Sequence, residues 1–164
     1  MDEFTNSSES MTMPDIDDKA PAIDLPATQD EQFELSQENT PTVVFFYPKD
    51  DTPGCTNEAK DFTRLKPEFD KLGVSIVGIS PDPLKKHEKF SAKHGLGINL
   101  ASDEEKTVLN AYGVWVEKSM YGRQYMGIER STFLIGKNGR IVQVWRKVKV
   151  KDHADAVLEA AQQL

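Results

Sequence analysis

Val43-Val44-Phe45-Phe46-Tyr47-Pro48-Lys49-Asp50-Asp51-Thr52-Pro53-Gly54-Cys55-Thr56 runs from an unbroken apolar stretch, through a loop punctuated by Pro and Gly, to a cysteine. The run 43–47 has the length and the β-branched and aromatic content of a buried strand. From Thr56 to Phe69 the pattern is helical, with Phe62, Leu65 and Phe69 at three- and four-residue spacing on its buried face. Cys55, the only cysteine among 164 residues, therefore falls where a strand hands over to a helix. There the unsatisfied N–H groups of the first turn and the positive end of the helix dipole favour negative charge on sulfur.

Outward from this junction the elements alternate. Lys19 to Pro26 alternates apolar and polar residues around prolines, as an edge strand or extended entry does. Pro67 is expected to break or kink the cysteine helix, and Gly73 marks its end. A second apolar strand spans Val74 to Ser80. Pro83 opens a helix that reaches about His94 and stops at Gly95. Ile98-Asn99-Leu100 reads as a short strand, and Asp103 begins a helix ending near Gly113. Thr132 to Ile135 and Ile141 to Trp145 are strands joined by Lys137-Asn138-Gly139, a hairpin signal, with Phe133 and Trp145 assigned to the core. Asp152 to Leu164 carries Ala156, Val157, Ala160 and Ala161 at helical spacing. Strand–helix–strand–helix, then a hairpin and a terminal helix, predicts an α/β domain with a mixed central sheet flanked by helices.

Bulk composition bounds the rest. The length suits one domain and is short for two. Residues 1–18 carry six carboxylates and no Lys or Arg, so they read as an acidic flexible tail ahead of a domain spanning 19–164. The remaining 21 acidic residues nearly balance the 20 basic ones, which argues against a nucleic-acid partner. No apolar stretch is long enough to span a membrane, and the acidic start is unlike a secretory signal. A single cysteine allows no internal disulfide. The expected compartment is the cytoplasm.

A lone intracellular cysteine is more often an inert packing residue than a nucleophile. Placement after a strand and a Pro/Gly loop reverses that weighting. Pro48, Pro53 and Gly54 shape the loop, and Thr52, three residues before the sulfur, can donate its hydroxyl to it or to a bound oxygen. In such settings thiols fall from about 8.5 into the range of roughly 3.5–7.5. A thiolate of this kind calls for a cation, and arginine supplies a permanent charge with a planar fork of donors. Arg130, in Gly127-Ile128-Glu129-Arg130-Ser131-Thr132-Phe133, is the candidate at a strand entrance. On the residues alone it reads equally as a solvated charge.

The segment Pro48-Lys49-Asp50-Asp51-Thr52-Pro53-Gly54-Cys55 matches the Pro-x-x-x-Thr-x-x-Cys signature, and resembles the bacterioferritin-comigratory-protein or PrxQ group of peroxiredoxins. Arg130-Ser131-Thr132-Phe133-Leu134-Ile135 is similar to the arginine segment of that group. Further likeness runs through Met120 to Gln124 and Val144 to Val150, so it covers nearly everything from residue 19 onward. The resemblance implies a thioredoxin-like fold, Cys55 as the peroxidatic cysteine, and Pro48, Thr52 and Arg130 completing the peroxide site. It implies a thiol-dependent peroxidase for hydrogen peroxide and small organic hydroperoxides, acting through a Cys55 sulfenic acid. No metal, flavin or haem is required, and the group is often monomeric. Glu58, one turn along the helix, has two readings: an orienting partner of the site, or a surface carboxylate.

Many members of the group carry a second, resolving cysteine. Its usual places correspond here to Lys60 and to Ser91, the latter in Phe90-Ser91-Ala92-Lys93. The expected reductant is therefore an external thiol: thioredoxin, or glutaredoxin with glutathione. An alternative from another class is a peroxide sensor that passes oxidation to a partner thiol. His87, His94 and His153 lack metal-ligand spacing and read as structural or surface residues. Lys85, Lys86, Lys89 and Lys93 read as a solvated helix face, or as a surface steering an acidic partner. Asp50 and Asp51 read as loop-shaping or solvent-facing.

Overall fold

The computed structural model describes residues 13–29, 31–35 and 40–164. Strand β3 (Thr42–Phe46) is buried at every residue and forms the centre of a five-stranded sheet. On one side it pairs in parallel with β4 (Ser75–Ser80), which pairs in parallel with β5 (Asn99–Ser102). On the other it pairs antiparallel with β8 (Ser131–Ile135), which pairs antiparallel with β9 (Ile141–Trp145). The order is therefore β5-β4-β3-β8-β9, a mixed sheet as expected.

Alternation along β3 divides the core in two. Val43, Phe45 and Tyr47 face a layer built from α1 (Pro53–Lys71), α2 (Leu84–His94) and α4 (His153–Ala161), meeting Phe62, Phe69, Phe90 and Val157. Phe45 and Phe62 stack with centroids 4.7 Å apart. Val44 and Phe46 face the other layer, with Leu109 and Tyr112 at and beyond α3 (Thr107–Ala111), and with Leu25 and Phe33. Burying each such Phe contributes about 1.5–3 kcal/mol relative to leaving it in water.

Several expectations are corrected. Helix α1 begins at Pro53 and continues through Pro67 to Lys71. Pro67 is exposed, while Leu65 and Phe69 hold the buried face. Asp103 is not the start of a helix: its Oδ2 accepts from Leu109 N–H at 2.8 Å, and α3 proper begins at Thr107. The entry strand is β1 (Asp24–Pro26), paired with β2 (Gln32–Glu34) in a separate ribbon. A hairpin of β6 (Trp115–Met120) and β7 (Arg123–Ile128) was not anticipated. Trp145 is only partly buried.

Residues 1–12 of the acidic tail lie outside the described residues. From Met13 the chain already lies against the body. Met13 packs on Gly113, and Asp17 and Asp18 exchange main-chain hydrogen bonds with Ile141 at 2.8 and 2.9 Å. No helix among the described residues is long and apolar enough to cross a membrane.

Candidate active site

Thr52 is extended (φ −94°, ψ 155°), and Pro53 fixes the first helical turn. The first bond of the helix runs from Thr56 N–H to Thr52 O at 2.8 Å, so the N–H groups of Gly54 and Cys55 stand outside the helical ladder. Cys55 is buried at 1% exposure on the inner face of α1, and its sulfur is unbridged.

Arg130 reaches it because of sheet register. Phe46, the last residue of β3, pairs with Ser131, the first of β8. The residue before Ser131 must then lie beside the loop that leaves β3. Val148 N–H pins the Arg130 carbonyl at 3.0 Å. Its guanidinium forks: Nη2 donates to Cys55 Sγ at 3.3 Å, and Nη1 donates to Glu58 Oε1 at 2.6 Å. Gly54 permits this approach, since a Cβ there would lie 3.3 Å from Nη2.

Glu58 is buried, one turn beyond Cys55 on the same helix face, rather than on the surface. Burial raises its carboxyl to about 7 even though the Arg130 charge pulls the other way. Its Oε2 is buried without a hydrogen-bond partner among the described residues. Burial works against the Arg130 charge, yet Glu58 and Cys55 beside it more than offset that and hold the guanidinium above its usual value. The result is a permanently cationic fork shared between a sulfur and a carboxyl.

Thr52 differs from expectation: its hydroxyl donates to Lys49 O at 2.9 Å rather than to sulfur. Pro48 is half-buried at the start of the same loop. Ser91 lies on α2, its hydroxyl donating to Leu96 O at 3.2 Å. A cleft of about 510 Å³ lined by Val116, Lys118, Glu129, Lys147 and Val148 reaches Arg130.

Beneath the loop lies a buried polar cluster that the sequence did not disclose. Asp50 is buried, its Oδ1 accepting from the Tyr47 hydroxyl at 2.6 Å and its Oδ2 lying 2.5 Å from His87 Nδ1. Burial, then the Asp50 charge, pushes the Tyr47 phenol well above its usual value. Asp50, Asp82 and His87 bring three potential ligand atoms within 4.8 Å of one another. Both nitrogens of His87 are engaged, however, Nε2 with Ala101 O at 3.0 Å. The spacing that could have revealed the cluster is His87 and Phe90 on the buried face of α2.

Fold and site together define a thiol-dependent oxidoreductase on a thioredoxin-type sheet. The AhpC/TSA family matches residues 16–144, and the chain belongs to that family as a peroxiredoxin of the Bcp/PrxQ group. It is 56% identical over 118 residues to peroxiredoxin Bcp of Xanthomonas campestris, covering 72% of this chain and 74% of that protein. Against peroxiredoxin Bcp of Bacillus subtilis the identity is 48% over 146 residues, covering 88% and 93%. A structure of the Xanthomonas campestris bacterioferritin comigratory protein, titled for its alkyl peroxide reduction activity, superposes with TM-score 0.82. It shares 48% identity over 86% of this chain and 90% of the other. A mutant of Xylella fastidiosa PrxQ gives TM-score 0.87 at 38% identity over 93% and 98% of the two chains. The expected thioredoxin-like fold and peroxiredoxin class are thereby borne out. The enzyme is a peroxidase that takes a peroxide and a thiol reductant.

Proposed function

We propose that Cys55 reduces hydrogen peroxide and small organic hydroperoxides through a sulfenic acid, which an external thiol then clears. The observation that carries this reading is the Arg130 fork on Cys55 Sγ and Glu58 Oε1. Cys55 thiolate attacks the hydroxyl oxygen of ROOH; the S–O bond forms as the O–O bond breaks. Sulfur loses two electrons to the peroxide, and the departing alkoxide takes a proton from solvent to leave as alcohol, or as water when R is hydrogen. Arg130 and the free N–H groups of Gly54 and Cys55 stabilise the charge growing on that oxygen. Thr52 donates its hydroxyl to Lys49 O, so its lone pairs are free to accept from the peroxide hydroxyl and align it. Pro48 shields the loop from water. Val116 and Val148 give the adjoining cleft an apolar wall suited to a small organic R group.

The sulfenic acid then meets an incoming thiol, forming a mixed disulfide and water, and a second thiol releases Cys55. Thioredoxin, or glutaredoxin with glutathione, supplies those thiols, since Ser91 stands where relatives carry a resolving sulfur. We place this cycle in the cytoplasm and in a monomer. Mass spectrometry after one equivalent of peroxide is expected to show a sulfenic or mixed-thiol adduct on Cys55; an unmodified sulfur refutes the reading. The sole cysteine also supports the alternative of a sensor handing oxidation to a partner thiol. Sustained turnover with a thioredoxin system favours the peroxidase, and stoichiometric oxidation followed by partner capture favours the relay.

A further inference from the structure

One face of α2 is turned to the catalytic loop, with His87, Ser91 and His94 on successive turns. At its start, the fully buried His87 faces two acceptors. Ala101 O can only accept, so Nε2 donates to it, while Nδ1 lies against Asp50 Oδ2. The Asp50 main-chain N–H donates to Asp82 Oδ2 at 2.8 Å, an oxygen that also receives the Ser80 hydroxyl at 2.8 Å. Residue 50 is thus fixed by side chain and backbone together. The next residue, Asp51, has a left-handed backbone (φ +63°), and its carboxylate is held by Lys93 Nζ at 2.7 Å and His94 Nε2 at 2.9 Å. Three consecutive positions, Asp50, Asp51 and Thr52, are therefore set before the chain enters the Cys55 helix.

We propose that Asp50 is a positioning residue of the peroxide site, locked by His87, and that α2 clamps the loop so that the Thr52 oxygen faces the incoming hydroperoxide. The proposal rests on the peroxidase reading. Oxidation of Cys55 in the parent protein tests that reading separately, and only the variants test the clamp.

The test compares two reactions of the same sulfur: single-turnover oxidation by hydrogen peroxide, and alkylation by iodoacetamide, which needs no alignment by Thr52. In His87→Leu the peroxide rate constant is expected to fall about tenfold or more, with alkylation within about threefold of the parent. His87→Asn, which restores a donor near the Nδ1 position, is expected to recover at least about a third of the lost rate constant. Tyr47→Phe keeps the ring but removes one donor to Asp50, and is expected to lower the peroxide-to-alkylation ratio about threefold. Lys89→Gln, on the exposed side of α2, leaves both rates unchanged. A parallel loss of both reactions, or an undiminished peroxide rate in His87→Leu, overturns the proposal. Should His87→Leu fail to fold, an unaltered ratio in Tyr47→Phe overturns it.

Discussion

Arg130 Nη2 lies 3.3 Å from Cys55 Sγ although the residues are 75 positions apart in the chain. The pairing of Phe46 with Ser131 produces that contact, so the reactive centre is a consequence of how β8 registers on β3. Losing the guanidinium removes the main fixed charge facing the breaking O–O bond. Arg130→Ala is expected to lower the single-turnover rate of Cys55 with hydrogen peroxide about 10²- to 10³-fold, the usual cost of one such donor. Arg130→Lys recovers only part of it, because a single ammonium cannot reach Cys55 and Glu58 in fork geometry. A rate in Arg130→Ala within twofold of the parent would remove Arg130 from the site.

Gly54 separates the chemistry of the site from its stability. An added methyl meets Arg130 Nη2 at 3.3 Å, tight enough to push the guanidinium while Glu58 holds its other arm. Alanine also favours the helix by up to roughly 1 kcal/mol over glycine. Gly54→Ala is therefore expected to keep or slightly raise the melting temperature while slowing peroxide reduction about three- to tenfold. Thermal unfolding and stopped-flow traces on one preparation decide it; an unaltered rate means that the guanidinium has room to yield.

Glu58 imposes a pH dependence of definite sign. Its carboxyl titrates at about 7 in the fold against 4.5 ordinarily, so the folded state holds the extra proton between those values. The associated stability is present below about 4.5 and is lost as pH rises through about 7. Glu58→Gln cannot titrate. Relative to the parent it should gain up to about 3 kcal/mol across that window, measured by urea unfolding at several pH values. A parent-minus-variant difference that stays flat with pH would show that folding does not shift the carboxyl's titration.

The parts of this molecule that could be read in advance share one property: their signal is local. The apolar run of β3, the phenylalanine spacing of α1 and the Gly95 stop of α2 depend on neighbours within a turn or a strand. The β6–β7 hairpin was missed because its strands mix charged with apolar residues and are largely exposed, and its turn sets Tyr121 at φ +54° beside Gly122, where asparagine or a second glycine would have completed the signal. The Asp50–His87 contact spans 37 residues and joins a loop to a helix, a pairing no periodicity encodes. Arg130 and Glu58 stood open between active and surface roles for the same reason. Only the sheet register and the burial of α1 separate those roles.

A single cysteine leaves a chemical signature on the proposed cycle. Without a thiol of its own to trap the sulfenic acid, Cys55 stays exposed to a second peroxide for as long as an external thiol takes to arrive. Excess hydrogen peroxide without reductant should therefore convert Cys55 to sulfinic acid, seen as two added oxygens on the tryptic peptide. Prior addition of a small dithiol should suppress the product. Persistence of the singly oxidised form under excess peroxide would mean that the loop excludes a second oxidant.

His153, at the start of α4, reports on the same guanidinium. Its Nε2 lies 2.8 Å from the Thr132 hydroxyl, and its ring packs edge-on against Phe62 and Trp145. Burial, reinforced by the Arg130 charge, lowers it to about 4. A histidine depressed in the fold supports stability above its ordinary value of 6.5, and that support drains away as pH falls toward 4. The ring is therefore neutral at neutral pH and pairs with the Thr132 hydroxyl in that form. Proton NMR of the imidazole should show no titration until well below 6.5, and Arg130→Ala should shift the midpoint upward by removing the nearby cation. If the midpoint does not move in Arg130→Ala, the depression comes from burial alone and the arginine field does not reach His153.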